Sequence, residues 1–294
     1  MIREVFCMAV ALWAVMWAWD ARADYHPCWQ EGEPTTHPLF HQEFSKAHSP
    51  HLRIAFIWDH RRRNRDPSTW VAGLQEAIDL AGVDVEVEVA CSSTWTHLPP
   101  DAASAFYYVK DRYSQDIGER NRADLVAVMS VGTGGGYCGI AQLGNKDRAW
   151  IRTSATSCGL DTFIHEIGHN FGLHHAHQPG YVGRKGWCLS PTDDAKSCWN
   201  GTVMSYASGS SRVKRFADVD AGWGTEEHTA VEYLRESIPM QALAWEIRTG
   251  FVGPDPEDRV GSVICPVASR PETEWPIPLA VRSPLAPTTS VHSH

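Results

Sequence analysis

His165, Glu166, His169, Gly172 and His175 stand in one stretch with the spacing H-E-x-x-H-x-x-G-x-x-H. Two histidines four apart on a helix point to the same side, so His165 and His169 can present ring nitrogens to one metal ion. Glu166 is not needed for coordination. Its place beside the first ligand lets it reach a metal-bound water and take its proton. A tetrahedral site needs a third ligand from another direction, which a straight helix cannot supply. Gly172 can adopt the left-handed conformation that ends a helix and turns the chain, carrying His175 back toward the ion. Histidines on an apolar helix face are often ordinary core residues, and H-E-x-x-H alone arises by chance in roughly 4% of chains this rich in His. Requiring the Gly and the third His lowers that by a further factor of roughly 250, and the metal reading prevails. The cofactor it implies is one catalytic Zn2+.

The elements that must hold this stretch are legible upstream. Leu52–Trp58 reads as a buried strand. A helix follows, with Trp70, Val71, Leu74, Ala77, Ile78 and Ala81 at helical spacing, Ser68 as N-cap and Gly82 as stop. Val83, Val85, Val87 and Val89 alternate with other residues as in a strand with one buried face. This β-α-β opening predicts a parallel pair. One helix is expected from Asp101 to about Glu119, then a central strand, Asp124–Ser130. Gly132–Gly136 lacks the Lys-Ser/Thr of a phosphate loop and reads as a turn into short strand four, Gly139–Leu143. Ala149–Ala155 returns as strand five, antiparallel to it, just before the histidine helix. That pairing brings Cys138 beside Cys158 and predicts a disulfide, and a second pair, Cys188–Cys198, would pin the irregular stretch after His175. A last helix is expected from Thr225 to about Trp245, with Glu226 and Glu227 in its first turn.

The chain ends set the compartment. Arg3, the apolar run from Val5 to Trp19 and the small-x-small Ala21-Arg22-Ala23 predict a signal peptide over 1–23, hence a secreted or periplasmic protein with no stable membrane association after cleavage. Residues 24–50, rich in Pro and His, read as an N-terminal extension or short pro-segment. Residues 251–294, with repeated Pro, read as an unpacked tail. Of eight cysteines Cys7 leaves with the leader, and Cys28, Cys91 and Cys265 remain outside the two expected bridges. The formal charge of -9 argues against nucleic acid as a partner. A monomer acting on protein or peptide is expected.

Downstream lies Thr202-Val203-Met204-Ser205-Tyr206. With the extended histidine motif it resembles the metzincin clan of zinc endopeptidases, in which a Met-turn lies beneath the metal. The resemblance covers about residues 52–248, within a peptidase domain at 51–250. The extra helix before the third strand and Tyr137-Cys138-Gly139-Ile140-Ala141 look most like the adamalysin (reprolysin) branch and its bacterial peptidyl-Asp metalloendopeptidase relatives. Two positions depart from that branch. Ala176 stands where adamalysins usually have Asp, and the Met-x-Tyr spacing looks like astacins and serralysins. The implied fold is α/β (α+β): a twisted five-stranded mixed sheet, the zinc helix at the cleft, and a smaller irregular C-terminal subdomain with the Met-turn and a C-terminal helix. The resemblance implies zinc ligands His165, His169 and His175, general base Glu166, Met-turn residue Met204, and a substrate-binding edge strand at Gly139, Ile140, Ala141 and Gln142. Tyr206 would act on the metal or the oxyanion, or else pack the cleft floor. Arg212, Lys214 and Arg215 would either favour acidic substrate residues or form a solvated basic face. A calcium requirement stays open. The alternative of another class is a non-catalytic zinc-containing peptide-binding module, which has no use for Glu166.

Overall fold

In the computed structural model the described residues are 50–132, 137–144, 151–189, 198, 200–206 and 212–243. The leader, extension and tail readings, with Cys28 and Cys265, lie outside them. Five strands form one mixed sheet: β1 His51–Asp59, β2 Glu86–Trp95, β3 Leu125–Met129, β4 Gly139–Ala141 and β5 Arg152–Thr156, in the order β2-β1-β3-β5-β4. The first four in that order pair in parallel, and β4 runs antiparallel to β5. The described helices are α1 Ser68–Leu80, α2 Ala102–Arg112, α3 Ser114–Asn121, α4 Leu160–Asn170 and α5 Val231–Ala242.

Period-two alternation along β1 sends Leu52, Ile54, Phe56 and Trp58 to one face and Ala55 and Ile57 to the other. On the first face they meet Leu74 and Ile78 of α1, Phe163 and Ile167 of α4, and Leu234 and Ile238 of α5. On the second they meet Ala105, Phe106 and Val109 of α2 and Ile117 of α3. The result is a three-layer α/β arrangement with β3 buried along its whole length at the centre. The histidine helix thus lies on a sheet covered on both sides.

Four local expectations need correction. Ser68 is not the N-cap of α1: it lies inside the helix, its hydroxyl donates to Asp66, and Pro67 holds the cap position. The expected single helix over 101–119 is two. Tyr113 leaves helical geometry (φ -132°) to place its ring edge-on against Trp95, 5.1 Å between centroids, while Asp101 caps α2 through the Ser104 amide. Strand β2 runs on to Trp95 because a register shift beside Ile54/Ala55 interrupts the alternation and turns Cys91 into the second core. The last helix begins only at Val231, since residues 225–230 close a turn in which His228 donates its amide to the Thr225 hydroxyl and Glu227 pairs with Lys185. Glu226 and Glu227 therefore precede the helix, and Glu232 is the acid of its first turn.

The antiparallel return puts the expected bridge in place: Cys138 and Cys158 are bonded, with Cα atoms 5.2 Å apart. Cys188–Cys198 is formed as well, and Cys91 is also disulfide-bonded. Such bonds suggest an extracellular or periplasmic protein. No described helix is long and apolar enough to cross a membrane.

Candidate metal centre and cleft

Helix α4 buries Phe163, Ile164 and Ile167 on the sheet and turns His165 and His169 toward the opposite side. It ends at Asn170, and Gly172 takes φ +98° where an L side chain would be strained. The chain reverses there, with the amides of Gly172 and Leu173 donating to the carbonyls of His169 and Gly168. His175 comes back over the helix. Its Nε2 lies 3.1 Å from His165 Nε2 and 2.9 Å from His169 Nε2.

Each helical imidazole is fixed from behind. His165 Nδ1 donates to the Val203 carbonyl and His169 Nδ1 to the Leu173 carbonyl, both at 2.7 Å. A proton on Nδ1 leaves the Nε2 lone pair free, so the nitrogens that converge are the ones able to ligate. Burial, together with neighbouring imidazoles, holds His165 well below the usual histidine range. Burial lowers His169 to about 4 and His175 to about 3. The rings are therefore neutral at physiological pH, the form a metal requires. Among the described residues these three form the group that could hold a metal ion, their ligand atoms all within 4.8 Å of one another. His174 turns away, stacking on Tyr181 with Nδ1 against Gln178, while His177 stacks on His175.

Glu166 is 6% exposed and sits against edge strand β4. A Cβ on Gly139 would fall 2.5 Å from Glu166 Oε1, so only glycine lets the strand pass so close to the carboxylate. Burial raises the Glu166 pKa to about 8, opposed by the charge of Arg212. Strand β4 is the last in the sheet, bonded to β5 on one side, so the backbone of Gly139, Ile140 and Ala141 faces outward on the other. Gln142 is buried and leaves the strand, its amide donating to the Thr153 carbonyl at 3.0 Å.

Beneath α4, Met204 is fully buried. Its Sδ would be 2.4 Å from a Cβ on Gly168, and its carbonyl accepts from the Ala176 amide. Two residues on, Tyr206 is 44% exposed, its ring 4.2 Å from that of His175 and 6.0 Å from that of His165. Arg212 is half-buried near Glu166 and Tyr206. Its charge is felt by Asp161, Glu166 and Tyr206, and among the described residues no hydrogen bond or ion pair holds its guanidinium. Two further residues of this helix, Asn170 and Gly168, are not singled out by the motif's spacing. An Asn at the last helical position and a Gly inside a helix are each locally unfavourable, and that was the available signal.

Residues 72–176 match a family described as metallo-peptidase family M12B, reprolysin-like. A peptidyl-Asp metalloendopeptidase of Pseudomonas aeruginosa is 28% identical over 129 residues, 38% of this chain and 22% of the relative. The chain thus spans well under half of that relative's length. Among solved structures, a chain from a chaperone–substrate complex superposes with a TM-score of 0.50 at 15% identity, over 67% of this chain and 35% of that one, a likeness of fold. Metalloproteinase-II from Bacteroides fragilis gives a TM-score of 0.40 at 12% identity, over 64% of this chain and 54% of that one. The stretch matched by the family holds the whole histidine motif, His165 to His175.

Proposed function

We propose that the protein is an exported, zinc-dependent endopeptidase whose ligands are His165, His169 and His175 and whose general base is Glu166. The observation that carries this is a single juxtaposition: three imidazoles converge through Nε2, and the buried carboxyl of Glu166, next to His165 in sequence, lies against Gly139 of the edge strand. Zinc held there would lower the pKa of a bound water toward about 7 and polarise a carbonyl. Glu166 takes the water proton and later passes it to the leaving amine. Burial raises the Glu166 carboxyl to about 8, so it holds a proton readily, and a nearby metal charge would favour its ionised, basic form. An extended peptide lies along Gly139, Ile140 and Ala141, adding its backbone bonds to the sheet, while Gln142, both of whose backbone groups are bonded inward, ends the edge. Binding in mid-chain favours internal cleavage.

Met204 serves as the floor beneath the ligands, as in a Met-turn, and residues 51–250 form the peptidase domain behind a leader at 1–23. The relative named for peptidyl-Asp bonds, with the half-buried Arg212 guanidinium near Glu166 and Tyr206, favours substrates that carry a carboxylate near the scissile bond. A non-catalytic zinc module is the competing reading. The two separate on zinc content and hydrolysis of an unfolded protein substrate, wild type beside Glu166→Gln. We expect the variant to keep its zinc and lose at least several hundredfold in rate, since general bases contribute on the order of 10²–10⁴. Near-normal turnover by the variant would sink the mechanism, and an inactive zinc-loaded wild type would favour the binding module.

A further inference from the structure

Strand β4 is only three residues long, pairs on one side alone, and carries no fully buried side chain of its own. Little in its own sequence would hold it at a fixed distance from the histidines. At its start the Cys138–Cys158 bond and the Ser157 amide, donating to the Cys138 carbonyl at 2.9 Å, fasten it to the entry of α4. At its exit the fastening comes from Asn170, the last residue of α4 and 1% exposed. Asn170 Nδ2 donates to the Gln142 carbonyl at 2.8 Å and to the Thr153 carbonyl at 3.1 Å. One amide therefore joins the histidine helix, the edge strand's exit and the neighbouring strand β5.

The same corner is closed by backbone. The Gly144 amide donates to the carbonyl of His169, itself one of the converging histidines, at 3.0 Å. A Cβ on Gly144 would fall 2.4 Å from the Asn170 carbonyl oxygen, so the approach requires glycine, and the Arg152 guanidinium donates to the Gly144 carbonyl from the other side.

We propose that Asn170 is a positioning residue, whose side-chain amide sets the spacing between the edge strand and the metal-ligand helix. It rests on the reading of β4 as the strand along which an extended peptide pairs. Asn170 touches neither metal nor substrate. It acts through Gln142 and β4, so its loss lets the strand exit drift from the helix while the histidines, anchored by Val203 and Leu173, stay in place. The effect is specific to substrates long enough to pair with the strand.

The test compares Asn170→Ala with wild type on two peptides sharing one scissile bond, one spanning the strand and one truncated to the residues flanking that bond. Zinc stoichiometry and amide hydrogen exchange accompany the kinetics. Expected are unchanged zinc content, exchange at the Gln142 and Gly144 amides about tenfold faster, and a loss in kcat/KM of about tenfold on the long peptide, the scale of one or two buried hydrogen bonds, with little change on the short one. Gly144→Ala, which pushes the same corner apart from the strand side, should give the same length-dependent loss and stands in if Asn170→Ala does not fold. Equal losses on both peptides, or unaltered exchange at Gln142 and Gly144, would overturn the proposal. Exchange needs no substrate, so it decides the tether even if the wild type cleaves neither peptide, a result that would instead defeat the endopeptidase reading.

Discussion

Tyr206 and Arg212 are the two residues whose roles the geometry sharpens most. A ring that merely filled the floor of the cleft would be buried, yet Tyr206 is 44% exposed and lies against the His175 ring. Partial burial and nearby Glu166 raise its pKa, so the phenol keeps its proton and can donate to a developing oxyanion. Tyr206→Phe should then lower kcat by roughly 10²-fold with folding and substrate affinity little changed. A rate equal to wild type would remove Tyr206 from the chemistry. Arg212 is a half-buried guanidinium whose desolvated charge is offset, among the described residues, at a distance by Asp161, Glu166 and Tyr206. A substrate carboxylate would complete it. Arg212→Leu is expected to cut kcat/KM for peptides with Asp beside the scissile bond by about 10- to 100-fold, as for one charge-assisted hydrogen bond, and to leave the matched Ala peptides alone. Equal losses on both peptides would assign Arg212 to the general electrostatics of the cleft.

At the level of elements, α4 is placed by what its small residues permit. Gly168 lets the helix settle on Met204 and Phe216, where a Cβ would stand 2.4 Å from the Met204 sulfur and 3.3 Å from the Phe216 ring. Gly168→Ala should therefore destabilise despite the better helix propensity of Ala, by about 1–3 kcal/mol for overpacking. Calorimetry would record a fall in Tm of several degrees, and a rise would mean that Met204 yields freely. This packing was only half legible in the sequence. The histidines could be read because the helical period and the turn at Gly172 are local rules, and the disulfide Cys138–Cys158 followed from an antiparallel return. The break at Tyr113 and the late start of α5 could not, because each depends on a distant partner: the Trp95 ring in one case, Lys185 holding Glu227 in the other. Asn170 belongs to the same class. Its two acceptors lie 28 and 17 residues away in sequence, and only the folded sheet brings them to one amide.

For the molecule as a whole, the buried site makes stability depend on pH in two opposed ways when metal is removed. His165, His169 and His175 have folded pKa values below 6.5, with His169 near 4 and His175 near 3, chiefly because burial disfavours the imidazolium. Between those values and 6.5 the unfolded chain binds more protons than the folded one, so stability falls as pH drops through that window. Glu166 acts in the reverse sense. Its folded pKa near 8 lies above the ordinary 4.5, so the folded chain holds the extra proton between them and stability falls as pH rises from about 4.5 to 8. Three histidines outweigh one carboxyl below 6.5, and above it only the carboxyl still changes. The chelated protein should therefore show a maximum in Tm near pH 6–7, with the steeper decline on the acid side. Glu166→Gln should abolish this site's share of the alkaline decline and steepen the acid limb above about pH 4.5, where the carboxyl otherwise opposes the histidines, and the difference between the two Tm profiles isolates that share from every other titrating group. A metal ion held by the three histidines would add competition with protons for the same Nε2 atoms, steepening the acid limb, and its charge would favour ionised Glu166 and so mask the alkaline one. Profiles for wild type and Glu166→Gln that run parallel from pH 5 to 9 without metal would show that the carboxyl is not desolvated in solution, and the tight contact between Gly139 and Glu166 would then have to open to water.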